Sequence, residues 1–240
     1  MNEHNVKTAL LLASLLAAGG SLAGQAASKA TPWIMQGVVR NAAGQPIEGV
    51  EVSAHNTVYY NMNVLAKTDK QGRYRLELPH EIGTWAPYAT IRRPWGDQVF
   101  KFTVYPNDDS AFAARDGAVR DFVWRIQGRF DGGVLGQKVN AYSGDEKVDA
   151  DTLEFTFTPL GTLIDGSTVK PFTRKPRGST MEDVPVGRYK VTASHAPNGV
   201  REALEVRAEG QDEYGSQAVG TFRETMYGIR MELSYRTPQK

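Results

Sequence analysis

Apolar and polar residues alternate along most of this chain, and the alternation comes in short runs broken by turn chemistry. Val50, Val52 and Ala54 share one face of "VEVSAHN" at positions 50–56. Tyr74, Leu76 and Leu78 share one face of "RYRLELP", and Leu153, Phe155 and Phe157 do so in "TLEFTFTPL". A period of two with β-branched and aromatic residues predicts half-buried strands. Further strands are predicted at "WIMQGVVR" (33–40), "YATIRR" (88–93), "QVFKFTVYP" (98–106) and "DFVWRIQG" (121–128). In the second half they are predicted at "GRYKVTASH" (187–195), "REALEVRA" (201–208) and "ETMYGIRMELSYR" (224–236). The best helical stretch, "SAFAARDGAVRDF", is interrupted by Gly117. The expected fold class is therefore all-β, as two tandem antiparallel β-sandwiches.

Gly- and Asp-rich sequence at 129–151 divides the strands into two groups and predicts a linker with one short strand at "KVNAY". The expected organisation is a first sandwich over 31–128, the linker over 129–151 and a second sandwich over 152–240. A five-residue echo strengthens the tandem reading. Gly72-Arg73-Tyr74-Arg75-Leu76 is matched by Gly187-Arg188-Tyr189-Lys190-Val191, with Asp69 and Asp183 upstream of the two glycines. In the first copy, Asp69 is expected to open a type I turn and Gly72 to occupy the left-handed position before the strand.

The N-terminus changes the compartment expected. Lys7 and the α-amine precede the apolar run Ala9–Ala18, and small residues around Ala26 suit cleavage. This predicts a signal peptide over 1–26 and a periplasmic or secreted protein, because the run is too short to span a bilayer. No second apolar run of spanning length follows, so no transmembrane segment is expected in the mature chain. The 240 residues include no Cys, which removes thiolate chemistry and disulfides, and the formal net charge is +1. So small a basic excess argues against a nucleic-acid partner, whose phosphates must be neutralised. The local basic run "TRKPRG" (173–178) reads as a solvated loop.

The segment "GVVRNAAGQPIEGVEVSAHN" with "VLAKTDKQGRYRLELP" resembles the carboxypeptidase regulatory-like domain, a transthyretin-like, carbohydrate-binding-like β-sandwich. Gly37, Val38, Val39, Gly44, Pro46, Gly49 and Val50 carry the likeness, followed by Thr68, Asp69, Gly72, Tyr74 and Leu76. It covers about Trp33 to Pro79, and the second half joins it only through "DVPVGRYKVTASH". The resemblance implies an accessory or carbohydrate-binding module of the bacterial envelope and no peptidase, since the catalytic zinc domain of that family is a separate unit. The transthyretin-like fold also hosts hydroxyisourate hydrolases ending in Tyr-Arg-Gly-Ser. Here Thr237 and Pro238 follow Tyr235 and Arg236, so that activity is not expected.

Candidate chemistry is sparse, and no enzyme, catalytic residue, metal or cofactor is expected. Beyond His4 in the signal, His55, His80 and His195 have no metal-type spacing and read as strand-end or loop residues. The acidic stretches "NDDS" (107–110) and "DEKVDAD" (145–151) follow no calcium-loop spacing and read as solvated turns. Aromatic residues offer the better lead. Trp95 in "RPWGD" is placed at a hairpin tip by Pro94 and Gly96, where an indole contacts a ligand, packs on a neighbouring domain or partner, or packs locally. The candidate ligand contacts are Trp95, Trp85, Tyr88, Tyr59, Tyr60, Arg92, Arg93 and Asp97, aromatic faces for sugar rings and charged groups for their hydroxyls. The function expected is an exported, non-catalytic binder of carbohydrate or cell-envelope glycan. The alternative is a structural or assembly protein of the envelope that holds a protein partner through its sandwich edges and loops.

Overall fold

The structure, a computed structural model, describes residues 29–80 and 83–239. The signal expected at 1–26 lies outside the described residues. The strands of the first half are β1 (Ile34–Asn41), β2 (Glu51–Asn56), β3 (Asn63–Lys67), β4 (Arg73–Glu77), β5 (Thr84–Trp95), β6 (Gln98–Pro106), β7 (Phe112–Ala113), β8 (Ala118–Val119) and β9 (Phe122–Trp124). A small hairpin follows, β10 (Arg129–Phe130) and β11 (Gly133–Val134). The second half holds β12 (Gln137–Ser143), β13 (Glu154–Pro159), β14 (Phe172–Arg174), β15 (Thr180–Val184) and β16 (Tyr189–His195). It ends with β17 (Glu202–Ala208), β18 (Ala218–Gly220), β19 (Arg223–Thr225) and β20 (Gly228–Arg236). Two short 3-10 turns complete the described chain, one of them at Ala114–Asp116 where Gly117 (φ 65°) stops it.

The fold is all-β, with two large curled sheets that form two sandwich-like units. The first sheet runs β3-β2-β5-β6-β9-β1-β4 and the second β14-β13-β16-β17-β20-β12-β15. Taken in order, the strands correspond one to one, so both units have the same topology. Each sheet bends until its outermost strands approach. In the first, β3 lies against β4; in the second, Arg174 of β14 donates to the Asp183 carbonyl of β15 at 3.1 Å. One feature departs from the antiparallel expectation. The first and last long strands of each unit pair in parallel, β1 with β9 and β12 with β20.

Alternation carries the burial. Tyr74, Leu76 and Leu78 are buried while Arg73, Arg75 and Glu77 are exposed. Phe155, Phe157, Tyr189, Val191, Val206, Met231 and Leu233 do the same for the second unit, and buried side chains of both units belong to one continuous apolar cluster. The turn at Asp69 is as expected. Its carboxylate accepts from the Gln71 and Arg73 amides at 2.9 and 2.8 Å, and Gly72 sits at φ 71°.

Two sequence expectations need correction. The stretch 129–151 is not a plain linker: it contains the β10–β11 hairpin and β12, an inner strand of the second sheet. The echo at Gly187 is also not the structural counterpart of Gly72. Gly72 introduces β4, whereas Gly187 introduces β16, which occupies the place of β5 in the second unit. The counterpart of β4 is β15, preceded by Gly178 at φ 60°. The basic run 173–178 is partly strand, because Arg174 ends β14 and its guanidinium lies 4.8 Å from the centre of the Phe172 ring.

Asp183 is no turn opener either. It sits at φ 57° in β15, where three residues of β15 span two of β12, a β-bulge. Its carboxylate accepts from the Gly128 amide at 2.8 Å and the Gly136 amide at 3.0 Å, the two positions that flank the β10–β11 hairpin. From that clamped hairpin Phe130 reaches back onto Tyr105 of the first unit, with ring centres 4.7 Å apart. The connection between the units is therefore a braced element.

Candidate functional site

The β5–β6 hairpin is longer than the sheet that supports it. β2 pairs with β5 only from Trp85 to Thr90, so Ile91–Trp95 and their partners in β6 extend beyond it as a two-stranded arm. Trp95 faces Gln98 across Gly96 and Asp97, with Gly96 at φ 61° in the first central position, as a type II′ turn requires. Pro94 is within the strand, opposite Val99, so the turn lies two residues later than one with Pro94 second and Gly96 fourth. A proline is tolerated there because β2 has already ended and that edge of β5 carries no ladder.

The arm ends against the second unit. The Trp95 indole N–H donates to the Thr221 hydroxyl at 3.0 Å, and the Glu224 amide donates to the Gln98 side-chain oxygen at 3.0 Å. Between arm and second unit lies a groove of about 560 Å³ lined by Trp95, Gly96 and Asp97 on one side. Leu160, Thr162, Arg188, Gln211, Val219, Thr221, Phe222 and Arg223 line the other. Trp95 is half-buried, and its N–H bond fixes the plane of the ring. Among the described residues no hydrogen bond or ion pair engages the side chains of Asp97, Arg188 and Arg223. The arrangement offers one flat apolar face, one free carboxylate and two free guanidiniums in one cleft. That set suits a ligand with a flat ring: the indole covers the ring's C–H face, Asp97 accepts from its hydroxyls, and the guanidiniums offer donors to an acidic substituent.

The remaining candidates from the sequence lie elsewhere. Trp85 is fully buried in the first core, packed below the sheet, and offers no surface to a ligand. Arg93 is half-buried with its guanidinium 5.3 Å from the centre of the Trp124 ring, and burial holds it below the ordinary arginine value. Arg92 is exposed, opposite Lys101. Tyr88 lies on the outer face of the first sheet in one row with Leu65, Ser53, Tyr105 and Val123. Its ring tilts against His55, whose Nε2 lies 2.8 Å from the Ser53 hydroxyl. Tyr59 and Tyr60 occupy the β2–β3 loop, shaped by the Asn56 side chain, which accepts from the Val58 and Tyr59 amides at 2.9 Å. That loop adjoins Thr84, so the length of β5, roughly 35 Å of extended chain, separates it from Trp95. Only Trp95 and Asp97 of the eight candidates meet in the groove.

The groove residues missed from the sequence all belong to the second unit. Arg188 lies within the glycine echo and reads as architecture, and Thr221 and Arg223, at the junction of β18 and β19, belong to no motif. Contacts across more than a hundred positions leave no local pattern to find.

Histidines and carboxylates are spent on local structure. His80 stacks on Trp33 with ring centres 3.6 Å apart. His195 is buried and accepts the Asp149 amide at 3.1 Å. Asp108 pairs with Arg120 at 3.1 Å. Asp145 accepts from both the amide and the hydroxyl of Thr237 at 2.8 Å. Those bonds hold the Asp145 carboxyl below its ordinary value. Because its folded-state value is depressed, the tie is present above the usual carboxylate range near 4 and is lost as pH falls through the lower folded value. The Thr237 amide should accordingly lose hydrogen-exchange protection on acidification below about pH 4, while the β20 amides keep theirs. Among the described residues no cluster of three or more His, Asp or Glu side chains is arranged to hold a metal ion. No helix among them is long and apolar enough to cross a membrane.

No family model matches the chain, and no curated protein matches it. Solved structures that resemble it include the Bacillus anthracis TIE protein, 15% identical, with a TM-score of 0.31. The match covers 83% of this chain and 43% of that one, so the chain spans less than half the length of that protein. A likeness of that size transfers neither activity nor partner.

Proposed function

We propose that this chain is an exported, non-catalytic binding module of carboxypeptidase regulatory-like type that recognises carbohydrate or cell-envelope glycan. The observation that carries the reading is the Trp95 groove, where a hydrogen-bonded indole and unpaired Asp97 on the arm face unpaired Arg188 and Arg223 of the second unit. Fixing the aromatic plane before the ligand arrives reduces the ordering cost of binding.

A glycan array followed by calorimetric titration tests the proposal. Trp95→Ala should weaken binding by about fivefold or more, taking the about 1–3 kcal/mol that a base-sized ring gains by stacking on an aromatic as the guide. The same change should lower folding stability by only about 1–2 kcal/mol, through one lost hydrogen bond and a half-buried ring. Glycan binding that survives Trp95→Ala unchanged would remove the groove from the site.

A second reading, an envelope assembly protein with a protein partner, is favoured by one observation. Val58, Tyr59 and Tyr60 stand exposed together at the far end of the first unit, Tyr60 at 94%. Pull-down from envelope extract with Tyr60→Ser as control separates the two readings: retention of a protein partner that depends on Tyr60 and not on Trp95 supports the second.

A further inference from the structure

The charge of the groove points to a narrower class of ligand. Resting on the glycan reading above, we infer that the Trp95 groove selects anionic glycans, in which a pyranose ring carries a carboxylate or phosphate that Arg188 and Arg223 receive. Both guanidiniums line the same cleft, both are exposed, and neither has a hydrogen-bond or ion-pair partner among the described residues. Some arginines elsewhere in the described chain do find a carboxylate. Arg236 bonds Glu205 at 2.8 Å, Arg120 pairs with Asp108, and Arg201 lies 3.4 Å from Glu154. The two groove arginines are left with their planar donor forks directed at no protein acceptor, and such forks match carboxylate and phosphate oxygens bidentately.

The other polar groups of the cleft set the geometry of selection. Asp97 is the single carboxylate among the lining residues and projects from the arm, whereas both arginines come from the second unit. An anion is attracted to the second-unit wall and repelled from the arm, while Asp97 accepts from ring hydroxyls. Gln211 has its oxygen committed to the Ala208 amide at 3.0 Å, which leaves its NH2 as a further donor to the ligand. Thr221 is held by the indole N–H and keeps its own hydroxyl proton to donate. A neutral sugar uses the indole and Asp97 but leaves the guanidiniums unanswered. A charged one uses both walls and so bridges the two units. The whole chain carries a formal net charge of only +1, so general attraction to polyanions is weak and selection depends on this pair.

Calorimetric titration of the full chain with three probes tests the inference: an oligogalacturonate, mannose 6-phosphate, and a neutral malto-oligosaccharide. The expected result is that at least one anionic probe binds about tenfold or more tighter than the neutral one at low salt. Its affinity should fall several-fold on addition of 0.5 M NaCl, on the order expected for screened charges. Which anionic probe leads distinguishes carboxylate from phosphate recognition. Arg188→Gln with Arg223→Gln should abolish the preference, bringing the anionic probe to within about twofold of the neutral one. Both side chains are exposed, so the melting temperature should stay at the parental value and serve as the control for folding. Equal affinity for neutral and anionic probes, with Trp95→Ala still weakening both, overturns the charge assignment and leaves the glycan reading standing. Failure of all three probes to bind overturns both. Anionic preference that persists in the double variant overturns the assignment to these two arginines.

Discussion

Gly72→Val should lower the stability of the first unit by about 3–5 kcal/mol, the sum of left-handed strain and a backbone collision. Gly72 has φ 71°, and a Cβ added there would lie 2.4 Å from the Val39 carbonyl oxygen and 3.2 Å from the Ile47 nitrogen. Those atoms cannot swing aside as a side-chain end can, because they hold the local ladder together. The Val39 amide donates to the Gly72 carbonyl at 2.7 Å, and the Ile47 amide donates to the Val39 carbonyl at 3.0 Å. Gly44→Val supplies the comparison. Gly44 has φ 80° but nothing within 4 Å of a built Cβ, so it should show only the backbone strain, about 1–2 kcal/mol. Urea denaturation of both variants measures the difference, and equal midpoints would show that the collision at Gly72 relaxes without cost.

The second large effect is expected at Asp183. Asp183→Ala removes the acceptor for two backbone donors, Gly128 and Gly136, and leaves a β-branchless but non-glycine residue at φ 57°. Two part-buried amides without partners, with added strain, should cost about 2–4 kcal/mol. Asp183→Asn keeps a side-chain oxygen and tolerates the left-handed conformation, so it should recover all but about 1 kcal/mol. Hydrogen exchange at the Gly128 and Gly136 amides is the specific readout, faster in the Ala variant and protected in the Asn variant. Gly136 itself has no freedom to change, since a Cβ there would meet the Asp183 backbone at 2.5 Å. Equal loss of stability in both variants would mean that the carboxylate charge, and not its hydrogen-bonding geometry, braces the connection.

Strands with clean alternation were legible from the residues alone. Tyr74, Leu76 and Leu78, or Phe155 and Phe157, show the period of two because one face meets the core and the other meets water. β12 hides from that logic. Its central Asn140 is buried at 6% exposure, satisfied by donating to Glu232 at 3.0 Å and by accepting from Thr180 at 3.1 Å. A polar residue paired inside the protein reads in sequence like one facing solvent, so an inner strand looked like part of a linker. The glycine echo misled in the opposite way. "GRY" opens a strand in both units, but Gly72 needs a positive φ and clearance from the backbone, whereas Gly187 has no positive φ and a Cβ there would meet only the side chains of Leu163, at 2.6 Å, and Tyr189. Identical residues were answering different constraints.

The site was half legible for a related reason. Trp95 and its turn announce themselves through Pro94, Gly96 and Asp97, which is local chemistry. What the indole would meet depends on how the arm lies against the second unit, and that is set by Thr221 and Glu224 more than a hundred residues away. Trp85 shares the inward face of β5 with Trp95; what separates them is position along the strand, since Trp85 lies within the part paired to β2, opposite Asn56, and Trp95 lies on the arm beyond it.

The parallel pairing of first and last strands has a mechanical consequence. In each unit the chain enters and leaves along neighbouring strands that run in the same direction, so a pull on the two ends drags them past each other. The hydrogen bonds between them are then loaded in shear, all at once, instead of being unzipped one at a time. β12 and β20 share six paired positions, whereas β1 shares three with β9 and two with the short β8, so more pairs are loaded in shear in the second unit. Under a pull on both ends, the first unit is expected to yield before the second.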